Sequence, residues 1–115
     1  MNQFLLKPLL LVSLVVPSLW AQDEYKADCL ILEDENSIIC KYIAPSKEQD
    51  VILLVKWIDP NNEISRTREV TLFEGHRSIY DFRYLKGRGL GVWTFEVHEG
   101  ETITRTNFTI EKKDQ

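Results

Sequence analysis

The stretch that decides the fold of this chain runs from Gly91 to Ile110 and reads GVWTFEVHEGETITRTNFTI. In its first half Trp93, Phe95 and Val97 alternate with more polar residues, which is the period of a β-strand with one buried face. A short turn at residues 99–101 separates this run from Thr102–Ile110, a second run rich in β-branched residues. The stretch therefore predicts two strands joined by a tight turn.

Runs of the same kind recur along the rest of the chain, with turn residues between them. No segment shows a sustained helical period of 3.6 residues. We therefore expect an all-β fold, an antiparallel two-sheet β-sandwich of about seven strands. The seven predicted strands are Ala27–Leu32, Ser37–Ile43, Val51–Ile58, Ile64–Phe73, Arg77–Tyr84, Gly91–His98 and Thr102–Ile110.

Two of these strands have unusual patterns. Val51–Ile58 is apolar on both faces, which is typical of a central strand or of one whose second face is covered by another chain. In the strand that begins at Ile64, Arg66 and Arg68 share the face of Val70 and Leu72. Either a bulge intervenes there, or the arginine stems lie along the rim of the core.

The two cysteines are placed symmetrically about a predicted turn. With residues 33–36 as a four-residue loop, Leu32 and Ser37 form the closing pair, and Cys29 falls opposite Cys40. Counting outward makes this a non-hydrogen-bonded pair, in which Cα atoms approach to about 4.5 Å and a bridge becomes feasible. We expect a structural disulfide, because the N-terminus predicts export (see below), exported cysteine pairs are normally oxidised, and the chain has no Cys-x-x-Cys motif.

Three stretches carry a resemblance to a known kind of domain. They are Trp57-Ile58-Asp59-Pro60-Asn61-Asn62, then Gly91–Gly100, and finally Phe108-Thr109-Ile110. Together they resemble bacterial immunoglobulin-like or fibronectin-III-like domains of exported proteins, in which a tryptophan strand ending in a Pro/Gly turn precedes a Gly-x-Trp strand and a Phe-x-Ile/Val last strand. The resemblance covers residues 57–110 and implies fold and location, but no functional residues. In antibody-type domains a disulfide between cysteines far apart in the sequence joins the two sheets. The second half of this chain contains no cysteine that could form such a bond.

The N-terminus has the layout of a secretory signal peptide. Met1–Ala21 holds one lysine, Lys7, then an apolar centre, and it ends on a small residue at which we expect cleavage. The alternative is a retained membrane anchor, because Phe4–Trp20 reaches the lower length limit for a span. Two prolines interrupt that stretch, and no basic cluster follows it. We therefore expect a periplasmic or secreted protein with no stable membrane span after cleavage.

Cleavage would leave 94 residues, enough for one small domain. The expected organisation is a signal peptide at 1–21, an N-terminal arm at 22–26, a sandwich domain at 27–111 and a tail at 112–115. With Lys7 removed, 13 basic and 18 acidic side chains remain, so the net charge is −5. Such a charge gives no overall field that would attract nucleic acid, and we expect no nucleic-acid partner.

The charge is unevenly distributed. Residues 64–94 carry six basic and three acidic side chains, which makes this region +3. Lys86 and Arg88 lie in a glycine-rich loop, and if Arg66 and Arg68 lie at the same end, the four cations form a patch for an acidic partner or a glycan. The alternative is a solvated loop between ordinary strand faces.

Catalytic chemistry has little support in the sequence. There is no Gly-x-Ser-x-Gly motif, and the four serines of the mature part occupy ordinary strand or turn positions. His76 and His98 match no metal-ligand spacing. We expect no catalytic residue, no metal site and no cofactor.

The function expected from these features is that of a small exported binding or adaptor module of an envelope or secreted assembly. Its contacts would be a sheet edge or the patch of Arg66, Arg68, Lys86 and Arg88, and its partner another envelope or secreted protein. One alternative is a secreted inhibitor of a hydrolase that inserts the loop Leu85–Leu90. A small metal-binding protein or enzyme is the other alternative.

Overall fold

A computed structural model describes residues 25–112 of the chain. These residues form seven β-strands, each within one residue of its predicted bounds. The strands are β1 (Lys26–Leu32), β2 (Ser37–Ile43), β3 (Val51–Ile58), β4 (Ile64–Leu72), β5 (Ser78–Tyr84), β6 (Gly91–Glu99) and β7 (Thr102–Ile110).

The strands form two antiparallel sheets that pack face to face. The three-stranded sheet has the order β1-β2-β5, and the four-stranded sheet has the order β4-β3-β6-β7. On one side of the sandwich β1 lies against β7. On the other side β5 and β4 are the edge strands of their sheets, and we call the space between them the open side. The predicted two-sheet β-sandwich of seven strands is confirmed.

The core lies between the sheets and is built from the alternate residues of each strand. Trp57 is fully buried at its centre, with ring centroids 5.4 Å from Phe95 and 5.8 Å from Phe108 in edge-to-face geometry. Such aromatic pairs contribute about 0.5–1.5 kcal/mol beyond the burial of their area. The other core side chains are Ala27, Ile38, Cys40, Tyr42, Ala44, Leu53, Val55, Leu72, Ile79, Trp93, Val97 and Ile110.

The doubly apolar strand β3 is central in its sheet, between β4 and β6. Leu53, Val55 and Trp57 point into the core and are fully buried. On the opposite face Ile52 is 64% exposed, so no described residue covers that end of the strand. The sequence offered two explanations for a strand that is apolar on both faces, a central position in a sheet or cover by another chain. Within residues 25–112, the central position is the one found.

The conflict at the start of β4 is explained by a bulge together with a rim position. Trp57 pairs with Arg66 and Ile58 pairs with Ile64, so Ser65 is the extra residue of a β-bulge. The bulge sends Ile64 to the solvent, where it is 58% exposed. Beyond it the two arginines of β4 remain on the inner face and extend along the open side, because β4 is an edge strand.

The first hairpin has the predicted register, with Leu32 opposite Ser37 and Cys29 opposite Cys40. The Cα atoms of the two cysteines are 4.0 Å apart and their sulfurs are bonded, so the predicted disulfide is confirmed. The connecting loop contains a short 3-10 helix, Glu33–Glu35, which ends where Asn36 adopts a left-handed conformation with φ of 55°. Asparagine tolerates this conformation better than most residues.

The predicted signal peptide Met1–Ala21 lies outside the described residues, as do Gln22–Glu24 of the predicted arm and residues 113–115 of the predicted tail. Tyr25 packs against the core, and Lys26 is the first residue of β1. Over residues 25–112 there is no helix of the length and apolarity needed to cross a membrane.

Candidate binding groove

The open side of the sandwich contains a groove of about 560 Å³. It brings together residues from the edge strands of both sheets and from the loop that follows β5. Four of its lining residues are arginines, and the groove is called the arginine groove below. Its lining residues are Arg66, Arg68, Tyr80, Asp81, Phe82, Arg83, Tyr84 and Arg88.

The acidic residue of the groove, Asp81, is almost fully buried, and both of its carboxylate oxygens accept hydrogen bonds. Its side chain is 2% exposed, and its Oδ1 accepts a 2.7 Å hydrogen bond from Nη1 of Arg68. Its Oδ2 accepts a 2.8 Å hydrogen bond from the indole Nε1 of Trp57. A buried carboxylate is tolerated when it is paired and hydrogen-bonded in this way. The ion pair with Asp81 therefore fixes the guanidinium group of Arg68 at one side of the groove, although 45% of the Arg68 side chain remains exposed.

Arg83 lies beside this pair on the inner face of β5. Its guanidinium carbon is 5.4 Å from the ring centroid of Trp57, and its Nη1 donates a 3.1 Å hydrogen bond to Oγ of Ser65, the bulged residue. Burial lowers the pKa of the Arg83 guanidinium, and the charges of Arg88 and Arg66 lower it further, against the opposing effect of Asp81. The guanidinium groups of Arg66 and Arg88 therefore repel that of Arg83.

Arg66 of β4 and Arg88 of the loop after β5 both contact the edge of β5. Nη1 of Arg66 donates to the backbone oxygen of Phe82 at 3.4 Å, and Nε of Arg88 donates to the backbone oxygen of Tyr84 at 3.1 Å. Both bonds are exposed and have uncharged acceptors. Because four arginines face one aspartate, the lining of the groove carries a net charge of +3.

The backbone of β5 also faces the groove. At the two ends of the β2–β5 pair, the N–H of Ala44 donates to the oxygen of Arg77, and the N–H of Leu85 donates to the oxygen of Asn36, both at 2.9 Å. In an antiparallel ladder alternate residues bond to the partner strand, so the odd-numbered residues of β5 face β2. The N–H and C=O groups of Tyr80, Phe82 and Tyr84 consequently point towards the open side.

The side chains of the same three residues form an aromatic stripe on the outer face of the three-stranded sheet. Tyr80, Phe82 and Tyr84 are 60%, 45% and 61% exposed. The stripe continues across the sheet, because Phe82 pairs with Ile39, and Ile39 pairs with Leu30, which is 59% exposed. Exposed apolar side chains that adjoin one another in this way are typical of interaction surfaces.

The structure brings together three of the four cations of the sequence-predicted patch. Arg66, Arg68 and Arg88 line the arginine groove, whereas Lys86 does not. Lys86 is exposed, and its backbone N–H donates a 2.7 Å hydrogen bond to Oδ1 of Asn36. Arg83 was missed as a member of the groove. Alternation along its strand gives it the inward parity of Ile79 and Asp81, and a cation on an inner face was the signal that could have identified it.

A second charged cluster lies on the outer face of the four-stranded sheet. Oε1 of Glu96 is 2.6 Å from Nε2 of His98, and Oε2 accepts a 3.0 Å hydrogen bond from Nε of Arg105. Burial by itself would raise the pKa of Glu96, but these two hydrogen bonds and the charges behind them leave that pKa lowered. No group of three or more metal-ligating side chains occurs within the part of the chain that the structure describes.

A third cluster links the two sheets at the end away from the glycine-rich loop. The hydroxyl of Tyr42 donates a 2.8 Å hydrogen bond to Oε1 of Glu99, and Nζ of Lys47 is 2.8 Å from Oε2 of the same residue. Burial raises the pKa of Tyr42, and the hydrogen bond to Glu99 adds to the effect. Every charged member has a partner, so this cluster contributes to sheet packing and offers no open ligand position.

The glycine-rich loop at residues 85–90 is held by several hydrogen bonds. The N–H of Arg88 donates to the oxygen of Leu85 at 3.1 Å, and Nε1 of Trp93 donates to the oxygen of Gly89 at 2.8 Å. Leu90 at the end of the loop is 58% exposed. The loop is therefore an exposed segment whose backbone is fixed by the sandwich.

No protein-family model matches this chain, and no curated protein shows significant sequence similarity to it. The resemblance to immunoglobulin-like and fibronectin-III-like domains therefore stays a prediction, and a functional assignment depends on the surfaces described above.

Proposed function

We propose that this protein is a small exported, non-catalytic binding module that engages an acidic partner protein through the arginine groove. The observation that carries the proposal is the groove itself, in which four arginines face one almost fully buried aspartate along an unpaired strand edge. Two of the arginines, Arg66 and Arg88, contact only uncharged backbone acceptors among the hydrogen bonds described above. A carboxylate would be a stronger acceptor for both of them.

Export is the second part of the proposal and rests on the predicted signal peptide together with the Cys29–Cys40 disulfide. Structural disulfides persist in oxidising compartments and are rare in the cytosol. The disulfide is compatible with a periplasmic or secreted location. Fractionation of cells that express the complete coding sequence, followed by N-terminal sequencing of the product, tests this part directly, with Gln22 as the expected first residue.

The binding proposal is tested by charge reversal on the full chain. The Arg66→Glu/Arg88→Glu variant reverses two groove charges without touching the buried Arg68–Asp81 pair. The matched control is Lys86→Glu/Lys112→Glu, which makes the same change of net charge at exposed positions outside the groove. Partners are cross-linked in place, captured through a C-terminal tag from envelope and medium fractions, and quantified.

We expect a protein captured by the wild type and by the lysine control to be depleted on the order of tenfold with the arginine variant. Equal recovery with all three proteins would contradict a role for the arginine groove. Circular dichroism of the purified variants verifies that each one is folded before recoveries are compared.

The second candidate function is inhibition of a secreted hydrolase by the loop at residues 85–90. It is favoured by the fixed backbone of this loop and by the exposure of Leu90, since a preorganised loop loses little entropy when it inserts. Residual activity of hydrolases from the same medium, measured with wild type and with Leu90→Asp, tests it. The absence of any inhibition by the wild type would remove this candidate.

A further inference from the structure

The edge of β5 offers more than positive charge. The backbone N–H and C=O groups of Tyr80, Phe82 and Tyr84, every second residue of β5, point to the open side. Their spacing is the one with which a neighbouring strand would form hydrogen bonds. Resting on the proposed function, we infer that the partner contributes an extended segment that adds to β5 as a further strand, with acidic residues alternating with apolar ones.

The alternation follows from the two faces of β5. A strand added at this edge would turn every second side chain inward, level with Asp81 and Arg83, and the others outward, level with Tyr80, Phe82 and Tyr84. Cross-strand neighbours on one face have Cβ atoms about 4.5–5.5 Å apart. The inward-pointing side chains of the added strand would therefore lie beside the arginines of the groove, which favours carboxylates at those positions. The outward set extends the aromatic stripe and favours apolar side chains.

The arginines that now cover the edge would become part of the binding site. Arg66 and Arg88 are bonded to the backbone oxygens of Phe82 and Tyr84, which are two of the acceptors that an added strand needs. When the partner strand binds, the two guanidinium groups would leave these backbone oxygens and bond to carboxylates of the partner. Each arginine would then have a charged acceptor in place of a neutral one, and such hydrogen bonds are shorter and stronger. The exchange favours an acidic segment over a neutral one of the same shape.

Other anionic partners use fewer of these features. A sulfated glycan or a nucleic acid would contact the guanidinium groups, but it would leave the alternating backbone groups of β5 and the aromatic stripe without a complementary partner. The acidic balance of the rest of the chain also repels long polyanions. A peptide strand matches the charge, the backbone and the aromatic residues together, and it is the occupant that the observations favour.

The test uses the full chain, exported and purified, and three probes. The first is a fluorescein-labelled peptide as long as β5, seven residues, in which glutamate alternates with valine. The second has the same composition with the glutamates and valines in separate blocks, and the third is a sulfated oligosaccharide. Fluorescence anisotropy measures direct binding of the peptides, and competition measures the oligosaccharide.

The matched variants are Phe82→Pro and Phe82→Ala. Both remove the phenyl ring, but only proline removes the N–H that points to the open side, and proline is tolerated at such edge positions. We expect the alternating peptide to bind saturably, the block peptide to bind at least roughly fivefold more weakly, and Phe82→Pro to weaken binding roughly fivefold relative to Phe82→Ala. Circular dichroism and the unfolding midpoint confirm that the proline variant is folded; if it is not, Tyr80→Pro with Tyr80→Ala is used.

Equal binding of the two peptides, equal affinity of the proline and alanine variants, or stronger binding of the oligosaccharide than of the alternating peptide would overturn strand addition. No saturable binding of the alternating peptide up to about 1 mM would also overturn it. These results are independent of the partner-capture experiment with Arg66→Glu/Arg88→Glu. The binding module can therefore stand while strand addition fails, and loss of groove dependence in that capture removes both.

Discussion

The indole Nε1 of Trp57 donates a 2.8 Å hydrogen bond to Oδ2 of Asp81, and this bond joins the two sheets of the sandwich. Trp57 belongs to β3, an inner strand of the four-stranded sheet, and Asp81 to β5, an edge strand of the other sheet. The second carboxylate oxygen accepts from Arg68, so one buried residue fixes the tryptophan at the core centre and an arginine of the groove. The wall of the candidate site is thus continuous with the core.

Removal of the Asp81 carboxylate is expected to destabilise the fold. Asp81→Ala leaves the indole N–H of Trp57 and the guanidinium of Arg68 without their acceptor, which lowers the free energy of unfolding by about 2–4 kcal/mol. Asp81→Asn keeps an amide oxygen that the indole can use and should cost clearly less. Urea unfolding followed by tryptophan fluorescence measures both. Equal losses for the two variants would show that the hydrogen bond is not the source of the stabilisation.

The disulfide is expected to stabilise the domain through the chain that it closes. Cys29 and Cys40 are separated by 11 positions, and a loop of this length corresponds to about 2–3 kcal/mol of stabilisation. Cys29→Ala/Cys40→Ala should therefore lower the urea midpoint by that amount divided by the urea m value. The control is wild type with excess dithiothreitol, which should show the same decrease. A decrease in the double variant alone would point to lost core packing instead of the lost cross-link.

Glu96 is expected to make stability depend on pH in the acid range. Its pKa in the fold is lowered from the usual 4.5, so the ionised form is favoured by folding. The resulting stabilisation is complete above the unfolded pKa and is lost as the pH falls through the folded one. The free energy of unfolding of wild type relative to Glu96→Gln should therefore shrink below about pH 4.5. A difference that stays constant from neutral pH down to pH 3 would contradict this assignment.

Much of the fold could be predicted because its signals are local. Alternation along each strand and short turns between strands determine where strands begin and end. The placement of Cys29 and Cys40 about one turn was sufficient for the register of the first hairpin, which the structure confirms. The bulge at Ser65 also had a local signal, since arginines on an apolar face required either a bulge or a rim position.

The groove could be predicted only in part, because it depends on which strands become sheet edges. Parity shows which side of a strand a residue occupies, but not which residue faces it across the sandwich. Arg66 and Arg83 are far apart in sequence and meet because β4 and β5 are the edges of opposite sheets. Lys86 and Arg88 are close in sequence, yet only Arg88 lines the groove. Their difference lies in the loop conformation, for which the sequence offered no signal.

The glycine at the start of β6 is the subject of the last prediction. Gly91 has φ of +124°, and a Cβ atom at this position would lie 2.9 Å from Cβ of Pro60 in the turn between β3 and β4. Gly91→Ala therefore combines backbone strain with a steric clash against a rigid ring, and we expect it to lower the free energy of unfolding by about 2–4 kcal/mol. The matched control is Gly89→Ala, where nothing lies within 4 Å of the added carbon and φ is not left-handed. Thermal unfolding of the two variants beside wild type measures the difference. Equal stability of the two variants would mean that the turn at Pro60 moves away freely, and that the junction between this turn and β6 does not constrain the sandwich.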